Sequence, residues 1–565
     1  MESVATDTFT YKVNDGYQDA TASTISLSLK TDPLYKYQWH LDNTGQTNFA
    51  STAGTSGEDM NVDIQIVAGK TGSGVKVAVV DSGLELAHED LAANIVSGSR
   101  DLVNSDDDPT PTSNGGDHGT SVAGIIAAVG WNNIGARGVA PAASLKGYNY
   151  LGAQTAANWI STYGGESYSS DIDIFNNSFG AYSRSFGVAA SIIQTTFSTT
   201  LPSMRSGKGA IFVKSSGNSF SEDADYYSGS SVCGYSANLG LSCNDANLDN
   251  QHIYPAVVVV GALAADGKKS SYSTVGSPLW VSAPGGEYGW NSSYVGNTGI
   301  LLEPAIMTTD LSSCTKGYVS STGDTDNNAF NDHNSPHAEN TSCNYTSTFN
   351  GTSSAAPNVS GVIALMLEAN SSLTWRDVKH ILATTSKQVD SSFSAVAVDS
   401  ITYHSWVTNA AGLKFHNYYG FGGIDANAAV NAAASYTAGS LGSQTYKTWT
   451  ASSTLNATIA EGSTVSNTIN ISTAGTVEFV RVRLNMSHAN PAEMGMRIES
   501  PSGTITTLLQ PLTSINVNPN GNIYLAASGF YGESMAGDWK LHLYDHTTNS
   551  TQMVLTDWAI EFYHR

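Results

Sequence analysis

Continuous apolar runs alternate with helical stretches from about residue 32 to 430. Residues 75–80 (VKVAVV), 211–214 (IFVK) and 256–260 (AVVVV) carry almost no polar positions. Such runs suit strands of a parallel sheet that is covered on both faces. Residues 122–129 and 359–369 predict buried helices, and 375–384 predict an amphipathic one. Strands alternating with helices predict an α/β layer fold with a parallel sheet and helices on both faces. Residues 433–453 are rich in Ala, Ser, Thr and Gly with little apolar period, and read as a linker. Beyond them the period changes to two: 477–484 (VEFVRVRL), 538–544 (DWKLHLY) and 553–562 (MVLTDWAIEF) alternate, with turn clusters between. This predicts an antiparallel β-sandwich over 454–565. Residues 1–31 are polar, without clear period, and form an N-terminal extension to an α/β region over 32–432.

Charge changes the picture next. Lys+Arg is 25 and Asp+Glu is 48, a net charge of −23, yet charged residues are only 13% of the chain. The acidity comes from scarce bases, because a soluble protein ordinarily carries about 25% charged residues. No basic face is visible for nucleic acid. With 40% apolar residues the chain is too hydrophobic for disorder. The longest apolar run, 253–265, contains Pro255 and falls short of the roughly 17–25 residues of a spanning helix. Glu2 and Asp7 interrupt an N-terminus with no basic or apolar stretch, so no signal peptide is expected: the chain is cytosolic or a mature exported form. Four cysteines allow three pairings. Pairing by proximity, Cys233–Cys243 and Cys314–Cys343, closes two Gly/Ser/Asn-rich loops, as in an exported protein. No CxxC spacing points to zinc.

Three segments carry candidate chemistry. VVDSGLE puts Asp81 just after a buried strand, where α/β folds place their sites. GGDHGTSVAGIIAA puts His118 at the head of a small-residue helix. FNGTSSAAPNVSG puts Ser353 at the start of another, where free backbone N–H groups and the helix dipole favour a developing oxyanion. Each has a job. Ser353 is a weak nucleophile that needs a base, His118 can take its proton near neutral pH, and Asp81 can fix the imidazole tautomer. The order Asp, His, Ser is one of three known triad orders.

At these motifs the chain resembles the subtilisin-like serine proteases, and within them the kexin/furin-like (proprotein convertase) branch of bacterial secreted type. DPLYKYQWHL, LTWRDVKHIL and HNYYGFGGIDANAAV carry the likeness in the first region. SPSGTITTLL, GFYGESMAGDWKLHLYD and LTDWAIEFY resemble the P domain of that branch, a jelly-roll-like sandwich. The resemblance implies a secreted endopeptidase acting on proteins and peptides. It assigns the oxyanion donor to Asn218 in IFVKSSGNSF, and substrate contacts to Ser178, Gly180 and Ser216. Asp249 falls near the position of an S1 acid and would favour a P1 Arg or Lys. A second S1 acid and the S2 acid of the branch are missing, with Ala181-Tyr182-Ser183 and Ser82 in their places. Asp117 is a substitute for the S2 acid. Dibasic selectivity is therefore expected to be weaker than in the eukaryotic enzymes.

The resemblance also implies a structural Ca²⁺ held by Asp32, Asp90 and the loop residues Val129, Asn132, Ile134 and Ala136, an oxygen set that suits this hard ion. A second calcium near S1 is not expected, since Ser183 and Ala283 replace its acids. The competing readings are a broad-specificity subtilisin and a catalytically idle adhesin. Residues before Asp32 are too few for the family's propeptide, which implies that it has been removed or that a separate folding chaperone acts. The protein is expected to be a monomer, with no membrane partner.

Overall fold

The computed structural model describes residues 6–12, 22–28, 31–64, 68–112, 118–180, 184–187, 190–220, 233, 236, 238–291, 294–296, 300–320, 328–399, 401–515, 518–546 and 551–565. Six parallel strands form the central sheet in the order Ser144–Tyr148, Lys76–Val80, Ile174–Asn177, Ile211–Ser215, Val257–Leu263 and Val281–Pro284. The strand that comes first in the chain lies second in the sheet. Its neighbours Ser144–Tyr148 and Ile174–Asn177 are reached in opposite directions, so a crevice opens at its carboxyl end. The apolar runs explain the burial: all seven residues of Val257–Leu263 and all five of Ile211–Ser215 are inaccessible on both faces.

Two helices pack together on one face, His118–Ala127 and Thr352–Ala369. Both are rich in Ala, Ser and Gly, so they approach closely. A methyl at Gly119 would meet the Gly83 carbonyl oxygen at 1.9 Å, so only glycine lets the histidine helix sit against the turn after Asp81. Trp375–Thr385 is the expected amphipathic helix, opened by a capping box between Thr374 and Asp377. One face of it buries Val378, Ile381 and Leu382 in the main core.

The C-terminal part is an antiparallel sandwich. Thr445–Ala451, Met553–His564, Val477–Ser487 and Asn520–Ala527, with Ala457–Ile459 also paired to Met553–His564, make one sheet. Thr464–Ile471, Gly537–Asp545, Met494–Glu499 and Ile505–Leu509 make the other. Alternate residues point inward, and Val482, Leu484, Trp539, Leu541, Trp558 and Ile560 form its own core.

The two parts meet through a shared apolar cluster, in which Phe479 and Ala526 pack with Ile253 and Tyr254, and through a set of polar contacts. Arg376 grips the carboxylate of Glu478, its Nε donating at 2.8 Å, while Gln444 donates to the same group at 2.8 Å. Asn417 donates to the Thr507 carbonyl at 2.7 Å, and Ser277 to the Ala526 carbonyl at 2.5 Å. Both cysteine pairs are those of nearest sequence, Cys233–Cys243 and Cys314–Cys343, each with Cα atoms 4.9 Å apart.

Candidate active site

Asp81 follows the strand Lys76–Val80 and is fully buried. Its backbone N–H donates to the Tyr148 carbonyl across the sheet, which fixes the turn. Its Oδ1 accepts from His118 Nδ1 at 2.7 Å and from the Ser82 N–H at 2.7 Å. The carboxylate thus orients the ring and sets its tautomer. The ring itself is only partly covered, with the Phe349 edge 5.4 Å from its centroid. Tyr318 packs on Phe349 in turn, so the loop closed by Cys314–Cys343 sits beside the histidine.

Ser353 is the second residue of the helix Thr352–Ala369, after Gly351 at φ +100°. Its hydroxyl donates to the Ser178 carbonyl at 3.0 Å, and Ser178 Oγ donates back to the Ser353 carbonyl at 2.9 Å. Tyr272, inaccessible at its core position, takes the Gly351 N–H on its hydroxyl at 2.8 Å. Asn218 lies at the end of Ile211–Ser215. Its Oδ1 accepts from both the backbone N–H and the hydroxyl of Thr352, at 2.9 and 2.7 Å. That anchors the amide by its oxygen and turns its NH₂ toward the cleft. His118, Ser178, Gly180, Ser216, Asn218, Asp249 and Ser353 all line one cleft of about 320 Å³. The sequence reading and the geometry therefore bring these residues together. Asp117 lies outside the described residues, as does Ser183.

The wall of the cleft around Asp249 holds more charge than the sequence suggested. Asp249 is buried, and its Oδ2 lies 3.3 Å from Lys214 Nζ and 3.8 Å from His252 Nε2. Burial alone would push this carboxyl up; Lys214, His252 and the Gln251 N–H outweigh it and hold it below the usual carboxylate range. Lys214 is itself inaccessible and also donates to the Phe179 carbonyl at 2.5 Å. Any side chain at Gly180 would start 3.1 Å from Asp249 Oδ2, so glycine keeps this acid reachable.

A second acid in the cleft, Asp245, was not read from the sequence. It caps the short turn Ala246–Leu248 and accepts the Asn247 N–H at 2.9 Å. Among the described residues no basic side chain pairs with it, and burial pushes it up to about 7. Two signals could have found these groups. A lysine inside the apolar run IFVK demands a buried anion, and Asp245 stands two residues after a disulfide cysteine.

The candidate metal residues also meet. Asp90 is fully buried, with Oδ1 accepting from Asn132 Nδ2 at 2.6 Å and Oδ2 from the Ala136 N–H at 2.9 Å. Burial, with Asp32 and Glu89 close by, pushes it up to about 7 despite those donors. Asp32 accepts from Asn132 N–H at 3.1 Å and from Arg137 Nε at 2.7 Å, and Arg137 is stacked between Tyr35 and Trp131. Asp90 is thus a buried acid short of a cation. The side-chain oxygens of Asp32, Asp90 and Asn132 gathered here are the donor type that Ca²⁺ takes. In the sandwich, His488, Glu493 and Asp545 are close enough to share an ion. His488 Nδ1 accepts the Asn490 N–H at 3.1 Å, so the ring proton sits on Nε2, facing Asp545 and Glu493 at 3.7 and 3.9 Å.

Comparison with known proteins agrees with this geometry. Residues 72–422 match the subtilase family, and residues 477–562 match the proprotein convertase P-domain. The extracellular serine protease of Aeromonas sobria is 36% identical over 93% of this chain and 86% of its own. The microbial serine proteinase of Aeromonas salmonicida is 31% identical over 91% and 84%. Human proprotein convertase subtilisin/kexin type 7 is 28% identical over 94% of this chain and 60% of its own. The crystal structure of the Aeromonas sobria serine protease superposes with a TM-score of 0.84 at 32% identity, covering 95% of this chain and 96% of that one. The same protease in complex with a chaperone (ORF2) gives a TM-score of 0.84, covering 95% of each chain.

Proposed function

Because the chain belongs to the subtilase family, is a serine endopeptidase and carries a proprotein convertase P-domain, we propose that Asp81, His118 and Ser353 form its catalytic triad in a secreted enzyme that prefers a basic P1 residue. The observation that carries this is the 2.7 Å bond from His118 Nδ1 to Asp81 at the mouth of a cleft that Ser353 and Asn218 also line. With Nδ1–H committed to the carboxylate, Nε2 is the basic nitrogen. The Ser353 hydroxyl turns from the Ser178 carbonyl to Nε2 and gives up its proton as Oγ attacks the scissile carbonyl carbon. The developing oxyanion is met by Asn218 Nδ2 and the N–H at the head of the serine helix. His118 then returns the proton to the leaving amine, and water hydrolyses the acyl-enzyme by the same route reversed.

The S1 wall reads P1 through Asp245, since Asp249 is engaged by Lys214. Residues Asp32, Asp90 and Asn132, with the carbonyls of Val129, Ile134 and Ala136, would hold Ca²⁺, which supplies the positive charge that buried Asp90 lacks. A separate chaperone assists folding in this reading, as one is bound to the Aeromonas sobria protease. The test has two parts. A fluorophosphonate should label Ser353 and no other serine; an unlabelled Ser353 overturns the triad. Peptides differing only at P1 should be cleaved best after Arg or Lys; a preference for Phe or Leu favours the broad-specificity reading that the Lys214–Asp249 pair also suits.

A further inference from the structure

The turn that carries Asp245 is held from the other domain. Asn247, 2% exposed, sits between the cleft and the sandwich. On the cleft side its backbone N–H and its Nδ2 both donate to Asp245 Oδ1, at 2.9 and 3.2 Å. On the sandwich side Nδ2 reaches the Leu508 carbonyl at 3.1 Å, and Oδ1 accepts the Ala526 N–H at 2.7 Å. Ser277 joins the same junction: its Oγ lies 3.0 Å from Asn247 Nδ2 and donates to the Ala526 carbonyl at 2.5 Å. One amide therefore spans from two strands of the C-terminal domain, Ile505–Leu509 and Asn520–Ala527, to the acid of the S1 wall.

We propose that Asn247 is a positioning residue through which the P-domain sets the affinity of the S1 pocket for a basic P1 side chain. Both donors of Asn247 fall on Oδ1, which leaves Oδ2 for the cleft. The Ala526 N–H and the Leu508 carbonyl fix the amide plane, so they fix where Oδ2 points. Among the described residues Asn247 alone donates to the Asp245 carboxylate, and Gly276 packs so closely that a methyl there would meet Oδ1 at 2.8 Å. The carboxyl can adopt one orientation while Asn247 is held, and several once it is released. A charge-assisted contact to a guanidinium depends on that orientation.

This inference rests on the basic-P1 reading, and the experiment separates the two. Purified full-length protein is assayed on peptides with P1 Arg and P1 Leu. Asn247→Ala is expected to lower the Arg-over-Leu ratio of kcat/KM about tenfold, the worth of one hydrogen bond to a charged group. The loss should fall in KM for the Arg peptide, with kcat retained. Asn247→Ser, which keeps the backbone donor and a short polar side chain, should show the same loss in milder form, and serves if the alanine variant does not fold. Ser277→Ala removes a contact of the same junction without touching Asp245. It should lower the melting temperature and leave the ratio unchanged. An unchanged ratio in the Asn247 variants overturns the proposal, as does an equal drop in Ser277→Ala. A wild-type enzyme with no preference for Arg over Leu instead overturns the functional reading, and this inference with it.

Discussion

Asp81 and Asp249 are both buried carboxylates beside one cleft, and each faces a nitrogen base. Asp81 is approached by His118 at 2.7 Å, and Asp249 by Lys214 at 3.3 Å. Their surroundings make them opposites. His118 is partly open to solvent, so in the proposed triad its ring can pass a proton to and from substrate while Asp81 holds Nδ1. Lys214 is fully enclosed against Asp249, so that carboxylate is engaged inside the protein before any substrate arrives. Under the proposed triad, one buried carboxylate serves chemistry and the other internal balance. Burial and an acid together do not identify a recognition group; the partner's access to solvent decides.

Substitutions sharpen this contrast, and the largest effect belongs to the reaction centre. Ser353→Ala should cost about 10⁴–10⁶ in kcat, because the remaining groups have no nucleophile to act on. Asn218→Ala should cost about 10²–10³ in kcat with KM little changed. Stopped assays on folded variants measure both, and a substantial kcat in either variant removes its role. On the balanced side the loss is of stability. Lys214→Met strips buried Asp249 of its nearest cation, leaving only His252 and the Gln251 N–H, a cost of about 3–5 kcal/mol in denaturant unfolding. Adding Asp249→Asn should recover most of that cost while the P1 preference persists. If the double variant loses the preference for Arg, Asp249 is a recognition group after all and the comparison fails.

What the sequence made legible follows the same line. Asp81, His118 and Ser353 stand at a strand end and two helix starts, so apolar runs and small-residue helices locate them without any knowledge of their neighbours. The fold class was readable for that reason too: 211–215 and 257–260 are apolar enough to require cover on both faces. The S1 wall was not readable. Asp249 was noticed, but its charge is decided by Lys214 on a strand more than thirty residues earlier in the chain. Asp245 was missed because its local signal, an acid two residues after Cys243 at the start of a short turn, is weak. Asn247 was out of reach altogether, since its partners Leu508 and Ala526 lie in the other domain. Pairings made across the sheet or between cores leave no local trace.

The smallest effect is the one that separates the two S1 acids by pH. Asp249 is held below the usual range by Lys214, so it stays ionised throughout neutral pH. Asp245 is pushed up to about 7 by burial, with only the neutral donors of Asn247 against it. A raised carboxyl is protonated below its pKa and gains its charge as pH rises through it. If Asp245 reads P1, the Arg-over-Leu ratio of kcat/KM should rise several-fold from about pH 6 to about pH 8. Taking the ratio cancels His118, whose ionisation acts on both substrates alike. Asp245→Asn should flatten the curve and lower it, whereas Lys214→Met with Asp249→Asn should leave its midpoint in place. A wild-type ratio that is high and flat across this window would mean that an acid already ionised is reading P1, and the assignment would pass from Asp245 to Asp249.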